Sequence, residues 1–67
     1  MITIKLNGTA KQLKKGTPLI SFLGENGIKP AEVAVELNFE IIYPQKLAGI
    51  ILKNGDVLEV LRFVGGG

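Results

Sequence analysis

The sequence predicts an α+β fold: a mixed sheet of four to five strands with one main helix and a short helical turn. Three observations carry that reading. The opening and closing segments alternate apolar and polar residues, Asn-Gly pairs sit at Asn7-Gly8 and Asn54-Gly55, and one stretch between them has helical spacing.

Ile2, Ile4 and Leu6 share one face of the first strand, with Thr3 and Lys5 on the other. Asn7-Gly8 then supplies the positive φ angles of a type I′ turn. A second strand from about Thr9 to Lys14 returns antiparallel, with Ala10 and Leu13 expected to meet the core, and Gly16 ends it. Thr17-Pro18 reads as a helix start, with threonine as cap and proline in the first turn. The helix should run from Pro18 to Glu25, present Leu19, Ile20, Phe22 and Leu23 to the core, and stop at Asn26-Gly27.

Pro30 closes a loop before a third strand, where Val33, Val35 and Leu37 point one way and Ala34 and Glu36 the other. Asn38 marks a bend, and Phe39 to Tyr43 reads as a short fourth strand. Pro44 to Ala48 reads as a single helical turn ended by Gly49. After Lys53-Asn54-Gly55-Asp56, a last strand should run from Val57 to Phe63 or Val64. Its Leu58 and Val60 face one side, and Val57, Glu59, Leu61 and Phe63 the other. If the first and last strands are central neighbours they run parallel, as in a β-grasp.

The chain has 67 residues, room for one domain, expected over 1–64 with a flexible glycine tail over 65–67. A core this small often leans on disulfides or a metal. With no cysteine and no histidine, packing must do that work, and 46% hydrophobic residues permit it. Nothing argues for an oxidising compartment. The start alternates instead of showing a secretory pattern, and the apolar run Leu47 to Leu52 falls far short of the ~20 residues of a spanning helix. A soluble, cytoplasmic protein with no membrane partner is expected.

Charge excludes little. The net value is +2, and Lys11, Lys14 and Lys15 cluster without an aromatic among them to stack on bases. A solvated strand edge explains them better than a nucleic-acid surface. Catalysis needs a nucleophile, a proton shuttle or a metal held in a site. The single serine, Ser21, sits in the expected helix with no base beside it, and the six carboxylates are scattered. Gly24-Glu25-Asn26-Gly27 ends a helix and does not open one, so it makes no phosphate cradle. An enzyme is not expected, nor a resident metal or cofactor.

What remains is Gly65-Gly66-Gly67. Glycines bury no apolar surface and lose the most backbone freedom on ordering, so such a run adds nothing to a core. Without side chains it can thread a narrow channel, Gly65 and Gly66 leading the Gly67 carboxylate into a partner's active site. There ATP would convert the inert carboxylate to an acyl-adenylate that a sulfur nucleophile can attack. An expression remnant or a frayed end competes with this on composition alone. Glu59 marks its face of the last strand as solvent-facing, which leaves Leu61 and Phe63 as an exposed apolar patch beside the tail and a candidate docking surface.

The chain resembles the ThiS family, sulfur carriers of thiamine thiazole biosynthesis and β-grasp relatives of ubiquitin. The resemblance spans essentially the whole sequence. It rests on Ile2-Thr3-Ile4-Lys5-Leu6-Asn7-Gly8, Gly16-Thr17-Pro18-Leu19 and Val33-Ala34-Val35-Glu36-Leu37-Asn38. Its final parts are Asn54-Gly55-Asp56-Val57-Leu58-Glu59-Val60 and Phe63-Val64-Gly65-Gly66-Gly67. The resemblance implies a ubiquitin-like β-grasp fold and a definite chemistry. An E1-like adenylating enzyme, using ATP and magnesium, would activate Gly67, a sulfur-donating enzyme would supply a thiocarboxylate, and thiazole synthase would consume it. Gly66 and Gly67 match the family's diglycine, and Leu61 and Phe63 match the region such carriers press on activating enzymes. Many relatives have a basic residue just after the proline where this chain has Pro44-Gln45-Lys46. Alternatives are a molybdopterin synthase small subunit, a modifier or carrier for another sulfur pathway, and a stand-alone binding module.

Overall fold

The computed structural model describes residues 1–63. Its five strands form one mixed sheet in the order β2-β1-β5-β3-β4. β1 (Ile2–Leu6) and β2 (Thr9–Leu13) form a hairpin, β3 (Val33–Leu37) and β4 (Glu40–Ile42) another, and β5 (Val57–Arg62) lies between them. β5 runs parallel to β1 (Leu6 beside Leu58) and antiparallel to β3 (Leu37 opposite Leu58). The helix α1 (Leu19–Glu25) and the single turn α2 (Pro44–Leu47) complete the β-grasp.

Parity along the strands decides what is buried. Ile2 and Ile4 of β1, Val33 and Val35 of β3 and Leu58 of β5 are buried together with Leu19, Phe22 and Leu23 of α1. Leu47 and Leu52 close that core from the segment between β4 and β5. Leu13 joins it but Ala10 does not. Ala10 lies opposite Lys5, on the far face, and is exposed. The two positions are three apart, so a pleated strand cannot turn both inward. In α1, Leu19, Phe22 and Leu23 make the i, i+3, i+4 stripe, whereas Ile20 lies beside it and is 36% exposed.

The turns follow the sequence closely. Asn7 and Gly8 take φ of 49° and 83°, both positive as a type I′ hairpin turn requires. Asn38 and Phe39 do the same, at 51° and 70°, so Phe39 belongs to the β3–β4 turn and the strand begins at Glu40. Pro30–Glu32 forms a 3₁₀ turn where a plain loop was expected.

The start of α1 departs from expectation. Thr17 does not cap it: Thr17 Oγ1 donates to the Lys14 carbonyl at 2.6 Å, and extended Pro18 takes the cap position. The free amide of Leu19 donates instead to the Ile50 carbonyl, and the Leu52 amide donates to the Thr17 carbonyl, both at 2.9 Å. A short antiparallel bridge between Pro18 and Ile51 therefore replaces the side-chain cap. It also clamps the helix start to the segment that leads into β5.

Candidate functional site

α1 covers one face of the sheet and leaves the other open. Strand register places Thr3 and Lys5 of β1, Val57, Glu59 and Leu61 of β5, Ala34 and Glu36 of β3, and Ile41 of β4 on that open face. Leu61 lies directly opposite Ala34. Glu36 has Glu59 opposite it on one side and Ile41 on the other. Leu61 is 71% exposed, and Ile41 and Phe63 are each 60% exposed. The expected pair, Leu61 and Phe63, is thus an uncovered apolar patch, and neither α2 nor the chain up to Ile50 shields it.

Two asparagines bond β5 and a third ties β1 to the turn that precedes β5. The Asn7 side chain accepts from the Val60 amide at 2.7 Å and donates to the Val60 carbonyl at 3.1 Å, which extends the β1–β5 pairing past the end of β1. Asn38 Oδ1 accepts from the Val57 amide at 2.9 Å, and Asn38 Nδ2 donates to Asp56 Oδ1 at 3.0 Å. Asn54 Oδ1 accepts from the Thr3 amide at 2.9 Å. These contacts join residues far apart in sequence, and each supplies a backbone partner where the regular ladder stops.

At the far end of β5 the Phe63 amide donates to the Glu32 carbonyl at 2.9 Å. The 3₁₀ turn that offers this carbonyl is closed by a bond from the Glu32 amide to the Lys29 carbonyl. The backbone of Phe63, the last described residue, is therefore fixed beside the apolar patch. Gly65, Gly66 and Gly67, the expected threading tail and modified residue, lie outside the described residues. The residues sequence reading missed are Ala34, Glu36 and Ile41. Their faces were legible from alternation, but their place beside Leu61 and Glu59 depends on register.

The fold and its open face together define a ubiquitin-like β-grasp domain with an apolar patch left uncovered beside Phe63. The ThiS family model matches residues 4–67, and the chain belongs to that family. It is 37% identical over 65 residues to "Sulfur carrier protein ThiS" of Bacillus subtilis, covering 96% of this chain and 98% of that one. It is also 36% identical over 62 residues to a thiazole synthase of Paramagnetospirillum magneticum, and 36% identical over 64 to one of Magnetococcus marinus. Those alignments take in 92% and 96% of this chain but only 19% and 20% of the synthases, so the chain spans about a fifth of their length. Among solved structures, the thiamine biosynthesis protein ThiS of Geobacter metallireducens superposes with a TM-score of 0.84 at 26% identity. That match covers 98% of this chain and all of the other.

Proposed function

We propose that this chain is a cytoplasmic sulfur carrier of thiamine biosynthesis, acted on by partner enzymes and not itself a catalyst. The observation that carries the proposal is the match to the ThiS family model over residues 4–67, which takes in Gly65, Gly66 and Gly67. The Bacillus subtilis relative, of nearly the same length, bears the name of a sulfur carrier. The synthase relatives support thiazole synthase as the consumer, since a segment like this chain occurs within them.

In the proposed chemistry an E1-like enzyme binds the open face and draws Gly65 and Gly66 into its active site. The Gly67 carboxylate attacks the α-phosphate of magnesium-bound ATP, forming an acyl-adenylate and releasing pyrophosphate. A sulfide-level nucleophile, delivered by a sulfur-donating enzyme, then displaces AMP and leaves a thiocarboxylate. The division of labour follows from the composition: with no histidine or cysteine, this chain supplies the acyl group and a recognition surface. A tail without side chains suits a narrow channel, and Leu61 and Phe63 suit a docking surface at its base.

The test is intact-mass spectrometry after incubation with the adenylating enzyme, ATP, magnesium and a sulfur source. The mass should rise by the difference between one sulfur and one oxygen. A chain lacking Gly67 should keep its fold and show no rise; sulfur uptake without Gly67 would overturn the proposal.

A further inference from the structure

We infer that Glu36 and Glu59 form a paired-carboxylate receptor for an arginine of thiazole synthase, set in the open sheet face; the choice of partner rests on the function proposed above. Register places the two glutamates directly opposite each other on β3 and β5, in one row with Ile41 of β4. Side chains facing across antiparallel strands have Cβ atoms about 4.5–5.5 Å apart, where like charges repel and cost stability. Among the described residues neither carboxylate takes part in a hydrogen bond. The cation nearest in register is Lys5, which lies opposite Val57, diagonal to Glu59 and two strands from Glu36.

Two carboxylates on a strand pair are by themselves only a charged surface. Their apolar surroundings are what imply a partner. Ala34 and Leu61 form the next row of the same face, Ile41 flanks Glu36, and Phe63 follows Leu61 along the chain. A protein seated on Leu61, Ile41 and Phe63 would remove water from around the glutamates, and two facing carboxylates without a cation are then untenable. The complement is a basic group projecting from an apolar surface. Guanidinium fits better than ammonium, because its planar fork donates to two carboxylates at once and gives up water more readily. The synthase relatives favour the bearer: a segment like this chain makes up about a fifth of each of two proteins named thiazole synthase.

The test compares binding with stability, because the proposal gives them opposite signs. The unmodified full chain is titrated onto immobilised thiazole synthase from the same organism, and separately onto the adenylating enzyme. The Glu36→Gln/Glu59→Gln double variant should melt no lower than the parent, since a repulsion is removed, yet bind the synthase about tenfold or more weakly. Glu59→Lys should melt higher, by pairing with Glu36 across the strands, and bind more weakly still. Leu61→Asp should also lose binding, with melting little changed. The inference fails if the double variant binds as the parent does, or if it melts markedly lower. It fails equally if the parent does not bind the synthase, or if only the adenylating enzyme loses affinity. No sulfur is needed for this measurement. A chain that takes up no thiocarboxylate but shows this pattern therefore sinks the proposed chemistry and leaves the receptor standing.

Discussion

The amide of Phe63 donates to the carbonyl of Glu32, so the final described residue is held against the turn that begins β3. The backbone is fixed at that point while the Phe63 side chain stays 60% exposed. The same residue thus ends the scaffold and begins the surface a partner can touch.

Phe63→Asp should consequently separate activation from stability. The backbone bond does not need the aromatic ring, and an exposed substitution usually stays within about 0.5 kcal/mol. The melting temperature should hold, while ATP–pyrophosphate exchange by the adenylating enzyme should require a higher carrier concentration. A large fall in melting temperature would show that the ring supports the fold.

Leu58 is fully buried at the centre of the sheet, paired with Leu6 on one side and Leu37 on the other. Leu58→Ala should cost about 2–5 kcal/mol through lost burial and the cavity left behind. That rivals the whole stability of a small domain, so urea titration should find the variant largely unfolded or barely folded.

Asn7 should matter more than its exposed position suggests. It combines a left-handed backbone with two hydrogen bonds to Val60. Asn7→Ala should lose about 1–3 kcal/mol, because it leaves both Val60 groups without that partner and places a residue with less liking for positive φ in the turn. Hydrogen exchange should quicken at the Val60 amide first.

Phe39 points to an improvement. Its φ is 70° and its side chain is 80% exposed, so the ring contributes little burial in return for a left-handed backbone. Phe39→Gly should stabilise the chain by about 1 kcal/mol, read as a higher urea midpoint. A loss would show that the ring has a packing role in solution.

Much of this was legible in advance because local chemistry and tertiary structure agree. Asn7-Gly8 announced a hairpin, and alternation in Val57–Arg62 put Leu61 on the open face. What was not legible depends on pairing between distant segments. Ala10 was misplaced because alternation in Thr9–Leu13 is weak, and the choice of face came from the register with β1. Thr17 was misread as a cap because Ile50 and Leu52, more than thirty residues later, supply the partners that a cap would otherwise provide. The row Glu59–Glu36–Ile41 exists only once three strands are aligned.

The parallel pairing of β1 with β5 has a consequence for biosynthesis on the ribosome. The first strand to emerge waits for the last, and until then the inner edges of β1 and β3 lack the neighbour that joins them. Closure of the sheet is therefore a late event dominated by distant contacts, a slow kind of folding step. A nascent or truncated chain without β5 lacks Leu58 at the centre of its core and Leu61 on its open face. The apolar face thus doubles as a certificate of completion: Leu61 and Phe63 stand exposed on a finished sheet only in chains whose synthesis has passed β5.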